Sequence, residues 1–390
     1  MSCLFVHDFR SYSRNGEVYT SNLSYEILEK RYIKYFDSIK ILNRAGVMKE
    51  LDRPEQFVKA SGPNIEFLNA INIFTPLSFA KNYFKYKNIV CNYVDVSEYI
   101  IIRLDSFLGL IAAHRCRKTS RKYLVEVVGC VWDSFWNKGL FGKLVALPLF
   151  LKMKREVKAA PFVVYVTNSF LQKRYPTNGF NTNISNVNIA KRDDRILTNR
   201  IDRIENSVEN NLQLVTTASV SVKYKGQDSV IKALGELKRR GYNNFVYHLI
   251  GGGDQSYLKH IAKKEGVEKQ IVFHGEMNHN KVMASLDQCD IYIQPSKQEG
   301  LPRSLIEGMS RGLVCMGTCI AGIPELLEPK MLFSKKKNNY IEIANLIEKI
   351  DKFTMIEQAE RNISKSQQFE SDLLERKREH FFLQYKESIQ

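Results

Sequence analysis

The segment Ser296-Lys297-Gln298-Glu299-Gly300-Leu301-Pro302-Arg303-Ser304-Leu305-Ile306-Glu307 combines two carboxylates, a glycine and a proline around an expected helix start. Pro302 suits the first helical turn, where a missing N–H costs nothing. Gly300 lets the backbone come close to a ligand. The free N–H groups and positive dipole end of such a helix suit a phosphate. Carboxylates do not bind phosphate, but they accept hydrogen bonds from sugar hydroxyls. Glu299 belongs to the loop at the helix mouth. Glu307 lies about one and a half turns in, on a face that can return to that mouth. Phosphate donors beside hydroxyl acceptors match a nucleotide sugar.

Three further loops carry similar chemistry. Lys223 and Lys225-Gly226 follow an expected strand over 212–217. Gly251-Gly252-Gly253-Asp254 follows a strand over 245–250, and Gly275-Glu276-Met277 follows one over 271–273. Helices are expected over about 228–240, up to 265, near 280–286 and over 302–311. Further strands are expected over 291–293 and 313–316. Alternating short apolar strands and helices predict a doubly wound α/β domain, which binds ligands at the C-terminal ends of its strands.

The first half reads as another α/β domain, with strands over 3–6, 38–42, 88–90, 99–102, 122–128 and 162–166. A helix is expected from 21 to 36 and a polar loop from 10 to 16. The charged, polar run 191–211 marks the domain boundary. These patterns give domains over 1–195 and 210–350, with terminal helices over 355–390 that pack back on the first domain.

The run Glu299 to Gly312, then a strand, then Gly322-Ile323-Pro324-Glu325, resembles the two-glutamate signature of retaining GT-B glycosyltransferases, the group 1 or family 4 type. The loops at Lys225-Gly226, Gly251–Gly253 and Phe273-His274-Gly275 follow in that family's order, and the resemblance covers about residues 210–330. It implies two Rossmann-like domains facing across a cleft. It implies that Lys225 contacts the donor diphosphate and offsets charge on the leaving group, with Lys223 standing in for an arginine where the chain has Val220. Glu299 would lie by the donor sugar with Gly300 and Leu301, Glu307 would bind the ribose hydroxyls, and Met277 would lie near the base. Gly252 belongs to the second loop. Gly16, in Asn15-Gly16, stands where the family's first loop often has paired glycines. Trp132 and Asp133 end the motif Glu126–Asp133, and their reading stays divided between anchoring and a role in the site. No metal or cofactor is expected; the nucleotide-diphosphate sugar is a substrate.

Composition narrows the partners. The 390 residues are 44% apolar and 26% charged, a globular balance. Residues 1–200 hold 31 Lys and Arg against 17 Asp and Glu, whereas residues 201–390 hold 27 against 25. The basic half therefore predicts contact with an anionic membrane surface and a lipid diphosphate-linked glycan acceptor. The run Arg115–Lys122 reads first as a solvated face. A nucleic-acid reading of the charge lacks a helix-turn-helix, zinc or aromatic RNA signature, and no nucleic-acid partner is expected. A GT-B enzyme of another type, an epimerase or a phosphorylase, stays open. Seven scattered cysteines with no Cys-x-x-Cys, no basic leader before an apolar run, and no long uncharged apolar stretch predict a cytoplasmic protein, peripheral at the inner membrane face.

Overall fold

The computed structural model describes residues 1–390 except 22, 48–56, 73–74, 137–138, 188, 192, 207–210 and 390. The chain divides into two units, Met1–Ile184 with Glu375–Gln390, and Ser185–Leu374. The division between Ile184 and Ser185 precedes the boundary expected from the charged run 191–211. Of that run, residues 192 and 207–210 lie outside the described residues.

The first unit opens with β1 (Ser2–Arg14), β2 (Glu17–Thr20), α1 (Tyr25–Leu28), β3 (Ser38–Val47), β4 (Val58–Lys59) and β5 (Ile65–Phe67). Then come α2 (Pro76–Lys81), α3 (Tyr83–Val96), β6 (Tyr99–Leu104), α4 (Phe107–Lys118), β7 (Leu124–Val127) and α5 (Val131–Trp136). It closes with α6 (Gly139–Ala159), β8 (Phe162–Tyr165), α7 (Phe170–Arg174) and β9 (Phe180–Asn183). The parallel strands lie in the order β5-β3-β1-β6-β7-β8-β9, and β2 and β4 extend the far end of β1 as an antiparallel flap. Every residue of β6 is buried, as expected of a strand covered on both faces. Arg103 on that strand therefore needs a buried partner, and the register supplies Glu126 directly opposite on β7. Their salt bridge is 2.7 Å long, and Tyr32 donates its hydroxyl to Glu126 at 3.0 Å.

Three expectations change here. The segment 10–16 is mostly strand: β1 runs on to Arg14 and turns into β2 through Asn15-Gly16, at φ 51° and 77°. Two successive positive φ values define the turn that matches strand twist, and Asn-Gly is its preferred pair. Residues 88–90 are helical, inside α3, because Tyr86, Val90 and Val94 repeat at the helical period and are the ones buried. The helix expected over 21–36 is a short α1 followed by one π-helical turn over Glu29–Ile33. Gly16→Ala is expected to cost the first unit about 1 kcal/mol, the penalty of a left-handed alanine. Chemical denaturation measures it, and the hairpin role alone predicts an unchanged donor KM.

The second unit runs α8 (Asp194–Glu205), β10 (Leu212–Thr217), α9 (Gln227–Arg239), β11 (Phe245–Ile250), α10 (Ser256–Glu265), β12 (Ile271–Gly275) and α11 (His279–Asp287). It continues β13 (Ile291–Gln294), α12 (Arg303–Ser310), β14 (Val314–Thr318), β15 (Leu332–Phe333), α13 (Asn339–Glu348) and α14 (Lys352–Ser366). All pairs are parallel, in the order β12-β11-β10-β13-β14-β15. Written by sequence rank this is the 3-2-1-4-5-6 doubly wound order, whose switch point lies between β10 and β13.

The charged run read as a boundary contains α8. Its Arg200 is buried and donates to four carbonyls: Cys289, Leu286 (3.3 Å), Asp287 (3.5 Å) and Arg311 (3.0 Å). These carbonyls close the C-terminal ends of α11 and α12, where a cation meets the negative dipole end. The final helix α15 (Ser371–Glu387) crosses from one unit to the other: Glu375–Gln390 belongs to the first unit, whereas α14 stays in the second. In the first unit the buried Tyr385 hydroxyl donates to the Ile100 carbonyl at 3.0 Å and accepts from its N–H at 2.8 Å.

Candidate active site

The switch point of the second unit gathers the loops that follow β10, β11, β12, β13 and β14. Backbone hydrogen bonds tie them edge to edge. Val220 donates to Gly252, Gly251 to Gly275, Lys297 to Tyr224 and Gly322 to Gly300, all at 2.7–3.1 Å. These five loops, far apart in the sequence, thus form one rim.

Lys225 ends a single 3-10 turn, Lys223–Lys225, and Gly226 follows at φ 77° as the start of α9. A Cβ at Gly226 would lie 2.0 Å from the Pro295 carbonyl oxygen, so only glycine allows the β10 and β13 loops to touch there. That contact brings the two residues expected to act on the donor together: Lys225 Nζ lies 2.6 Å from Glu299 Oε1. Lys223 points elsewhere along the rim, exposed, with its ammonium 4.7 Å from the centre of the Tyr257 ring.

Glu299 is held from behind by Gln294, the last residue of β13 and 1% exposed. The Gln294 amide donates to Glu299 Oε1 at 3.2 Å and to Ser296 Oγ at 2.9 Å. Its carbonyl accepts from the Tyr292 hydroxyl at 3.2 Å and from Ser304 Oγ at 3.3 Å. Tyr292 in turn lies 2.9 Å from Thr217 Oγ1 at the end of β10. A buried amide with both ends used is oriented firmly. Gln294, Tyr292 and Ser304 carried no expected role. The available signal was a glutamine ending an otherwise apolar strand.

Helix α12 begins one residue later than expected: Pro302 is its N-cap and Arg303 its first helical residue. No side chain caps this end, so first-turn N–H groups remain for an anion at the mouth. Glu307, further along α12, is largely buried, and His279 Nδ1 stands 3.9 Å away. Burial pushes the Glu307 carboxyl up, against the opposing pull of His279 and Arg303. Gly300 accepts the Gly322 N–H at 2.9 Å, and Leu301 follows it into the mouth. Gly252 accepts from Val220 N at 3.1 Å and from Ser219 Oγ at 3.0 Å. Met277 precedes α11, its sulfur 3.7 Å from Ser285 Oγ. Away from the rim, His248 of β11 places Nδ1 2.8 Å from His274 Nε2 of β12 and Nε2 2.8 Å from Gln213 Oε1 near the start of β10, and burial lowers the pKa of both imidazoles.

Gly16 lies in the other unit, at the hairpin tip. Trp132 and Asp133 also belong to that unit and have partners within it. The Trp132 ring stacks on Trp136 with centroids 4.8 Å apart, and Asp133 accepts from Arg174 at 3.4 Å. The corresponding switch point of the first unit, between β1 and β6, is closed by Asp8. Its carboxylate accepts from the N–H groups of Phe107 and Leu108 at 2.7 and 2.9 Å and from Ser106 Oγ at 3.0 Å, at the start of α4.

Known proteins resemble this chain in sequence and in fold. Residues 199–368 match the family described as glycosyl transferases group 1. The chain is 30% identical over 350 residues to Protein CapJ of Staphylococcus aureus, across 89% of this chain and 85% of that protein. It is 32% identical over 124 residues to WcaL of Salmonella typhimurium, a putative colanic acid biosynthesis glycosyltransferase, across 30% of each. Among solved structures, Anabaena Alr3699/HepE in complex with UDP and glucose shares the fold with a TM-score of 0.62 at 18% identity, covering 100% of this chain and 99% of that one. Two doubly wound α/β units of this kind are the GT-B fold. The chain belongs to the group 1 glycosyl transferases and is a glycosyltransferase enzyme.

Proposed function

We propose that this enzyme moves a sugar from a nucleotide-diphosphate donor to a hydroxyl of a growing glycan, with retention at the anomeric carbon and without a metal. The observation that carries this reading is the Lys225–Glu299 pair at the switch point, 2.6 Å apart and backed by Gln294. When the bond from the anomeric carbon to the donor oxygen breaks, negative charge grows on the departing diphosphate. Lys225 and the uncapped start of α12 would offset that charge in a partly buried site. Glu299, Gly300 and Leu301 would orient the sugar, and Glu307 would accept from the ribose hydroxyls. Lys223, Gly226, Gly252 and Met277 complete the donor side of this reading.

The acceptor we infer is a lipid diphosphate-linked glycan met by the basic N-terminal unit at the cytoplasmic membrane face, in synthesis of a bacterial surface polysaccharide. The similarity to a colanic acid biosynthesis enzyme supports the polysaccharide class, and the UDP and glucose held by the Anabaena structure support the donor class. The charge excess of residues 1–200 supports the membrane side. A labelled nucleotide sugar tests the reading: nucleoside diphosphate release that requires the acceptor supports it. Consumption without acceptor, or only with inorganic phosphate, sinks transfer in favour of an epimerase or a phosphorylase.

Glu307 gives a sharper test. Glu307→Gln keeps the shape but weakens the hydrogen bonds from hydroxyls, so donor KM is expected to rise about tenfold, with kcat changed less. The ribose contact needs the carboxylate. Because burial raises its folded pKa, protonation begins at higher pH than for a free glutamate, and donor KM should rise on mild acidification. The same sign makes ionised Glu307 a stability cost: the unit loses stability as pH rises from the unfolded glutamate pKa through the raised folded one. A KM–pH profile unchanged in Glu307→Gln would remove the ribose assignment.

A further inference from the structure

Helix α6 turns a row of leucines to solvent. Leu140, Leu144, Leu147 and Leu151 are 82%, 76%, 50% and 54% exposed. At about 100° per residue they fall in one stripe roughly 60° wide. The exposed face continues past Leu151 with Lys154, Arg155 and Lys158, and Lys143 flanks its other end. The opposite face is the packed one: Ala146, Met153, Glu156 and Val157 are buried. Glu156 is the helix's sole acid, and it accepts from Arg117 of α4 at 2.9 Å. The charges that α6 shows to water are therefore all positive. One turn ahead of the helix, Trp136 is 40% exposed, and the Lys143 ammonium stands 5.4 Å from its ring centre.

A single exposed leucine needs no explanation, but four in register on one helix make a patch. Charge complementarity selects the occupant. Leucines flanked only by cations, with a tryptophan at the end, are what an interfacial helix offers to anionic headgroups over acyl chains. Among the described residues no helix is long and apolar enough to cross a membrane, so a helix of this kind lies along the surface.

We propose that the exposed face of α6 is the membrane dock of this enzyme: the four leucines insert into the interface of an anionic bilayer, and Lys143, Lys154, Arg155 and Lys158 meet its phosphates. This rests on the membrane-facing function proposed above and gives it a defined anchor. It goes beyond attraction by bulk charge, because it predicts that apolar side chains carry much of the binding.

Flotation of the full-length protein with vesicles of equal parts phosphatidylglycerol and phosphatidylcholine tests it, with pure phosphatidylcholine as the contrast. Wild type is expected to float with the anionic vesicles and to show a blue shift of tryptophan emission. The variant Leu140→Ser, Leu144→Ser, Leu147→Ser, Leu151→Ser keeps every charge and should bind at least about 30-fold more weakly. Its thermal stabilisation by UDP should stay at the wild-type value, which shows that it is folded. Replacing Lys143, Lys154, Arg155 and Lys158 by alanine should abolish the preference for anionic vesicles. Wild-type binding by the serine variant, released by salt, would overturn the α6 dock while leaving attraction through the basic unit intact. Absence of wild-type binding to anionic vesicles would overturn both. A serine variant that is monomeric where the wild type is dimeric, with vesicle binding unaffected, would assign the stripe to a second copy and also overturn the proposal.

Discussion

Lys225→Ala is expected to lower kcat for sugar transfer by about 10²–10³-fold, the usual loss when one preorganised group facing the developing charge is removed. Lys225 is tethered by the 3-10 turn before α9 and by Glu299, so its ammonium is already placed before any charge develops. An oriented cation in a partly buried site stabilises a departing diphosphate more than water does. The same change should barely affect folding. The pair is partly solvated, and such pairs contribute roughly 0–1 kcal/mol. The signature is thus a large kinetic loss with little change in melting temperature. Lys225→Arg, which keeps the charge, should recover part of the rate. Steady-state kinetics with saturating donor decide the matter. A raised KM with unchanged kcat would mean that Lys225 binds ground and transition states equally, and the leaving-group role would be lost.

Arg200→Met should destabilise the second unit by about 3 kcal/mol or more. Methionine fills much of the volume, but the buried Cys289 carbonyl and the partly buried Asp287 and Arg311 carbonyls lose their donor, while Leu286 keeps the Cys289 N–H. Buried acceptors left unpaired cost about 1–3 kcal/mol each, softened by relaxation and water. For a unit of this size the loss corresponds to a fall of roughly 6–12 °C in melting temperature. Arg200 also binds the end of α12 opposite to the mouth, through Arg311. Looser anchoring there should raise donor KM modestly. Differential scanning calorimetry checks the first effect. A melting temperature within about 2 °C of wild type would show that water replaces the guanidinium at no cost.

These two residues show what local pattern reveals and what it hides. Lys225, Glu299 and Glu307 could be singled out because their surroundings are local: a lysine before a glycine at a strand end, and glutamates around Gly300-Leu301-Pro302 at a helix mouth. Glycine and proline leave the same mark in the sequence as in the backbone. Arg200 could not be singled out. Its run reads as a charged boundary, since a lone sequence shows charge but not the carbonyls that will surround it. Arg103 is similar: a charge in an apolar strand is understood only when the register places Glu126 opposite. Gly16 errs the other way. The resemblance set it where the family's first loop often has paired glycines, and the structure shows Asn15-Gly16 as the hairpin turn from β1 to β2, a shape that rests on the left-handed backbone of both residues.

By itself, then, the sequence determined the alternation of strands and helices in the second half, the four glycine-bearing loops, and the charge difference between halves. All of these depend on neighbours within a few residues or on simple counting. The tertiary structure decided that Lys225 meets Glu299, that Gln294 orients that glutamate, and that the leucines of α6 face water while Glu156 turns inward. The reason is geometric. Strand order 3-2-1-4-5-6 makes β10 and β13 neighbours although two strands and three helices separate them along the chain. Which face of a helix is left bare depends on what packs against the other face.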